Sequence, residues 1–144
     1  MIVNLTNKRY IARNPFFAVK FSDRLRGMIG RKFHASGFDA MVFVECNAIH
    51  TCFMGQKIDV IFLDHENKVA GLRKNLARWC VSVRCLKAVT TIELPVGVIK
   101  HSGTEIGHVI NVSEEAVPEL GTQITGNAIV QEMESIVHYK ASDK

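Results

Sequence analysis

Aromatic residues with polar handles are scarce, at one Trp and two Tyr among 144 residues, and only three prolines are present. A groove for single-stranded nucleic acid needs stacking rings interleaved with basic side chains, and no stretch offers that pattern. Charge of one sign is also lacking. Eighteen Lys+Arg against 14 Asp+Glu leave +4, with the basic residues dispersed except for a cluster between Arg24 and Lys32, which falls short of a phosphate-binding footprint. No uncharged apolar run approaches the roughly 18 residues of a membrane-spanning helix. Neither nucleic acid nor a membrane is therefore expected as a partner. The opening "MIVNLTNKRYIARN" lacks the apolar core of a secretory signal, so the expected location is cytoplasmic. There the four cysteines would stay reduced, without disulfides. A phosphate loop, a dinucleotide fingerprint, a Gly-x-Ser-x-Gly elbow and a His-Glu-x-x-His pair are all missing. No cofactor is expected, and most familiar enzyme classes find no support.

What the chain does have is short runs rich in Val, Ile and Phe, punctuated by Gly, Asn and Asp, which predict strands. They fall near Ile2–Leu5, Tyr10–Ala12, Phe17–Phe21, Ala40–Glu45, Ile49–Met54, Ile58–Asp64, Lys68–Leu72, Val89–Leu94 and His108–Val112. "LDHENKVAG" reads as a hairpin turned at Glu66-Asn67. Many short, locally connected strands predict a mainly β fold, a compact β-barrel over residues 1–112. Two helices interrupt the pattern. "SDRLRGMIGRK" has Ser22 as a suitable N-cap and Gly30 as a stop, with Leu25, Met28 and Ile29 as the inward stripe. Arg24 and Arg31 would flank that stripe. Residues 113–126 read as a polar linker, and residues 127–140 as an amphipathic helix with Ile129, Met133, Ile136 and Val137 on one face. This C-terminal helix either docks on the barrel or serves interaction, including oligomer formation.

Cys46, His50 and Cys52 give C-x3-H-x-C, and Cys80 with Cys85 give C-x4-C. Structural zinc sites pair ligands as C-x2–4-C with a second pair further on, so the spacing permits a site, but Cys46 lies beyond a turn at Asn47 and free cysteine commonly packs as a small hydrophobe. No metal is therefore assigned. In an extended segment His50, Cys52 and Met54 share one face, which would put a base beside the Cys52 thiol. No acid is placed to orient that base, and a half-buried strand with a His at its mouth is the simpler reading.

Asp59 is the sharper signal. In "IDVIFLD" one face carries Ile58, Val60 and Phe62 and the other Asp59, Ile61 and Leu63, so the strand should be buried on both faces. A carboxylate there demands a partner. Arg24 and Arg31 are the candidates, since a guanidinium satisfies both carboxylate oxygens at once. The pair would either fix helix to barrel or border a ligand site. Glu93, in "TTIELPVG", lies on the face of Thr91 and is expected at solvent; the alternative is a carboxylate on the rim of the same cleft.

Taken together, "SDRLRGMIGRK", "MVFVECNAIHTCFM", "IDVIFLDHENKV", "IELPVG" and "IGHVI" resemble, in order and spacing, a bacterial and archaeal family known as domain of unknown function 192. The resemblance spans roughly residues 1–112 and is specific as a set. It implies a mainly β barrel with a short helix and no established activity. The family pattern falls on Arg24, Gly27, Arg31, His50, Met54, Asp59, Phe62, Asp64, Glu93, Leu94, Pro95 and Gly97. The chain departs from it at Gly55-Gln56-Lys57, where relatives carry a basic residue, an apolar one and Pro, and at His108, where Asp is usual.

These readings converge on a non-catalytic module that binds a small ligand or a protein at a cleft bordered by an Arg/Asp pair, with Arg24, Arg31, His50, Met54, Asp59 and Glu93 as the candidate binding residues. The competing classes are a small hydrolase-like enzyme using Asp59 or His50 as base, and a purely structural interaction domain.

Overall fold

The computed structural model describes residues 1–34 and 37–114. The expected C-terminal helix and nearly all of the linker lie outside them. The elements in chain order are β1 (Ile2–Asn4), β2 (Arg9–Ala12), β3 (Pro15–Phe17), α1 (Phe21–Arg26), β4 (Ala40–Val44), β5 (Ala48–Ile49), β6 (Ile58–Leu63), β7 (Val69–Leu76), β8 (Val83–Arg84), β9 (Thr90–Leu94), α2 (Val98–Ser102) and β10 (Ile110–Val112). The mainly β character stands.

The centre is a five-stranded sheet in the order β3-β4-β9-β6-β7, in which β3 runs parallel to β4 and the other neighbours are antiparallel. Side chains alternate across it and feed two separate cores. Ala40 and Val42 of β4, Ile61 and Leu63 of β6, and Ile92 and Leu94 of β9 enter the first core. A three-stranded sheet, β10-β1-β2, covers that face with Ile2, Ile11 and Ile110, and α2 adds Ile99. The alternate residues Met41 and Phe43, Ile58, Val60 and Phe62 form the second core, covered by Met28 and Met54. All six residues of β6 are buried, as its unbroken apolar run predicts for a strand covered on both sides.

The sheets do not close into a barrel. Closure would require the edge strands β3 and β7 to pair. The first is three residues long and begins with Pro15, which has no N–H to give. The second exposes Arg73, Lys74 and Asn75 along its outer half, charged and polar residues that protect an edge rather than extend it. An isolated bridge between Lys68 and Val109 joins the small sheet to the large one.

Local differences have local causes. The hairpin at Glu66-Asn67 forms as expected: Asn67 adopts φ 56°, and the Asp64 side chain accepts the N–H groups of Glu66 and Lys68, each at 2.9 Å. The segment predicted as a strand over Phe17–Phe21 instead ends at Phe17, and Phe21 opens α1. Helix α1 is shorter than expected. It has no side-chain cap at its start and stops at Gly27, whose φ of 51° ends the helical path three residues before Gly30. Met28 is therefore buried from a turn after the helix, while Leu25 is 64% exposed rather than inward. Ile49–Met54 is a strand only to Ile49, after which the chain turns, with Phe53 at φ 61°. Two short elements, β8 and α2, carry no periodicity long enough to have been predicted. No helix among the described residues is long and apolar enough to cross a membrane.

Candidate functional site

A cleft of about 270 Å³ opens between α1 and the second core. Its outer lip is Phe21 and Leu25, both largely exposed, and its inner wall is Met28, Phe43 and Met54. The turn after α1 supports one side: Gly27, at φ 51°, packs against the core, where an added Cβ would make ordinary contact with the Phe43 ring at 3.8 Å. Arg24 fixes the helix across the mouth, donating from one guanidinium nitrogen to the Val44 carbonyl at 2.6 Å and from the other to the Glu45 carbonyl at 3.2 Å. Arg26, Cys46 and His50 complete the polar part of the lining, together with Glu93.

Glu93 is the unexpected member. Its place beside Thr91 predicted exposure, yet it is 3% exposed. The strand alternates as expected, but the face Glu93 shares with Thr91 is covered by the second core. Its cross-strand neighbours are Met41 of β4 and Val60 of β6, both apolar. Loss of hydration there disfavours the charged form and pushes the Glu93 carboxyl up to about 8, so the neutral acid predominates at neutral pH. Its Oε2 atom is buried without a hydrogen-bond partner among the described residues. Buried polar atoms are nearly always satisfied, so an orphan in the wall of a cleft marks a place where something else can bind.

Asp59 is buried as expected, at 1% exposure, but the predicted pairing with Arg24 or Arg31 does not occur. It sits on the opposite face of the central sheet from Glu93 and does not line the cleft. Backbone donors satisfy it instead. Oδ1 accepts the Asn75 N–H at 2.8 Å, and Oδ2 accepts the N–H groups of Gly97 and Ile99, each at 3.0 Å. Arg31 is occupied elsewhere, paired with Asp23 at 2.8 Å and stacked over Phe16 at 5.0 Å from the ring centre. Four of the six candidate residues, Arg24, His50, Met54 and Glu93, thus come together at one cleft, and Arg31 and Asp59 do not join them.

The cysteines divide by position. The Cys46 thiol lines the cleft and donates to the Ala48 carbonyl at 3.1 Å, whereas Cys52 lies beside the Cys80 carbonyl at 3.7 Å. His50 and Cys52 do not share a strand face, because the strand that would align them is absent. Among the described residues no three His, Cys, Asp or Glu side chains gather into a metal-binding group. Among the site residues that the sequence did not single out are Phe21, Arg26 and Phe43. The signal for Phe43 was its alternation with Met41 in "AMVFV"; nothing in the sequence places Phe21 at a lip.

The profile of the family described as DUF192, Uncharacterized ACR, matches residues 6–112. A UPF0127 protein from Thermococcus sibiricus is 37% identical over 128 residues, covering 82% of this chain and 80% of the relative. A UPF0127 protein from Thermococcus gammatolerans is 34% identical over 114 residues, covering 77% and 74%. Among solved structures, a protein of unknown function from Novosphingobium aromaticivorans superposes with a TM-score of 0.66 at 14% identity, covering 77% of this chain and 82% of its own. A putative transcription regulator from Sinorhizobium meliloti gives 0.64 at 16% identity, covering 76% and 88%. At such identities these two share the fold.

Proposed function

This chain belongs to the DUF192 family, which is uncharacterised, and from its own cleft we propose that it is a binding module for a small, largely apolar ligand. One observation carries the reading: the Glu93 Oε2 atom, buried and unpartnered, in the wall of a cleft otherwise lined mainly by Phe, Leu, Ile and Met side chains. Ligand sites are typically concave and apolar with a few polar groups that fix orientation, and Glu93 with Arg24 and His50 fits that description. Binding is favoured over catalysis because among the described residues the cleft supplies one orphaned polar atom, whereas a reaction centre needs several groups converging on one substrate position. Asp59, the base of the hydrolase reading, is committed to three backbone donors on the other side of the sheet.

Ligand-observed NMR with small apolar fragments on the full chain tests this. Saturation transfer should appear for fragments that enter the cleft and disappear in Ala48→Phe, which fills it from β5. Equal transfer to both proteins places binding elsewhere, and no transfer to either removes the reading.

A further inference from the structure

The binding reading leaves the ligand's charge open, and the polar groups of the cleft address it. Arg24 and Arg26 both line the cleft. Their guanidinium groups donate only to carbonyls, Arg24 to Val44 and Glu45 and Arg26 to Ile29 at 3.1 Å. Neither is ion-paired among the described residues, in contrast to Arg31 with Asp23. A carbonyl satisfies an N–H but does not cancel the charge, so two positive charges with no ion-pair partner among the described residues stand on the solvent side of the cleft. Among the described residues the one acidic side chain lining it is Glu93, and burial keeps that group neutral near pH 7.

Resting on the reading of the cleft as a ligand site, we infer that its ligand is a small organic anion with an apolar body. An anionic oxygen of the ligand accepts a hydrogen bond from the neutral Glu93 carboxyl, and the field of Arg24 and Arg26 stabilises the charge. A hydrogen bond to an ionised acceptor is stronger than a neutral one and supplies what Oε2 lacks. The apolar body lies against Met28, Phe43 and Met54. A cationic ligand would meet two guanidinium groups, and a neutral one would leave both charges unused.

The consequence is a proton linkage. The anion binds the protonated form of Glu93, since an ionised Glu93 would repel it, so affinity is full below about pH 8 and is lost as pH rises beyond it. The groups facing Glu93 from its neighbouring strands, Met41 and Val60, do not titrate. The titratable and charged groups that share the cleft are Arg24 and Arg26 on α1, Cys46 after β4 and His50 after β5. A Glu93 variant separates its contribution from theirs.

The experiment is calorimetric titration of the full chain with three probes of one chain length, hexanoate, hexanamide and hexylamine, across this pH range. Hexanoate should bind tightest, by tenfold or more over hexylamine, and its affinity should fall about tenfold per pH unit above about pH 8. Binding above that pH should take up a proton, read from buffers of different ionisation enthalpy. Glu93→Gln keeps a donor and should retain hexanoate with the pH dependence flattened. Arg24→Gln should weaken hexanoate by several-fold more than hexanamide, a split that a general loosening of the cleft would not give. If hexanamide or hexylamine binds as well as hexanoate, or hexanoate affinity ignores pH in the unaltered protein, the anion assignment is wrong while the cleft remains a ligand site. If none of the three binds, the assignment and the binding reading fall together.

Discussion

Asp59 and Ile99 are 40 residues apart in sequence, yet Asp59 Oδ2 accepts the Ile99 backbone N–H at 3.0 Å inside the first core. With Gly97 and Asn75 as further donors, this one side chain joins β6 to β7 and to the start of α2. Replacing Asp59 with Asn keeps one acceptor oxygen and turns an NH2 toward N–H donors. The loss should be about 2–4 kcal/mol, the scale of a buried hydrogen bond to a charged group plus an unsatisfied partner. Urea denaturation measures it, and a loss below about 1 kcal/mol would contradict the bracing role.

Asp59 also shows what was legible in the sequence. A lone acid in "IDVIFLD" announced a buried carboxylate that needs partners, and that much is correct. The partners were unreadable because they are backbone N–H groups, which every residue but Pro carries and no sequence pattern marks. They converge only because Pro95 to Gly97 turn back into α2. Glu93 is the converse case. Its face was read correctly, but whether that face meets water depends on which strands flank β9, and long-range pairing leaves no local signal. With β4 and β6 as its neighbours, the face of Thr91 and Glu93 is roofed by the same Met28 and Met54 that cover Phe43 and Phe62. The family pattern brings Arg24, His50, Met54 and Glu93 into view together, whereas the lip at Phe21 depends on β3 ending at Phe17 and α1 opening at Phe21, where the sequence pattern predicts a strand.

Gly97 gives a second prediction. It sits at φ 96° at the N-cap of α2, and a Cβ added there meets nothing within 4 Å. The cost of Gly97→Ala is therefore backbone strain, about 1–3 kcal/mol for a non-glycine residue held at that φ. Because the Gly97 N–H also serves Asp59, the double variant with Asp59→Asn should lose less than the sum of the two single losses. Full additivity would show that the two act independently.

Thr51 holds the two turns beside the cleft together. Its hydroxyl donates to the Ala77 carbonyl at 2.8 Å and accepts the Cys80 N–H at 2.9 Å, while its own N–H reaches the Cys80 carbonyl at 2.8 Å. Across this clamp Phe53 and Trp79, both at positive φ, meet edge to face at 5.0 Å. Thr51→Val preserves shape and removes the hydroxyl, taking a partner from the Ala77 carbonyl and the Cys80 N–H at a partly buried position. A destabilisation of about 0.5–1.5 kcal/mol should follow. Acrylamide quenching of Trp79, the single tryptophan, should increase as its contact with Phe53 loosens; unchanged quenching and stability would show that the clamp is dispensable.

The buried acid makes the last prediction, on stability against pH. In the unfolded chain Glu93 titrates near the model-peptide value of 4.5, and in the fold near 8. Between those values the native state holds a proton that the unfolded state has released, so unfolding gains stability relative to folding as pH rises. Below the lower value both states are protonated and Glu93 costs nothing by this route. Through the window the slope approaches about 1.4 kcal/mol per pH unit, and above about 8 the full penalty of a buried, unpartnered carboxylate is present. Glu93→Gln cannot ionise, so its melting temperature should decline less than that of the unaltered protein from about pH 5 to pH 9, with the variant the more stable at the alkaline end. Every other group is common to both proteins, which is why the difference between the two curves, not either curve alone, reports on Glu93. Parallel curves would mean that Glu93 finds a compensating partner when it ionises, and the orphaned Oε2 atom would then no longer mark the cleft as a place for a ligand.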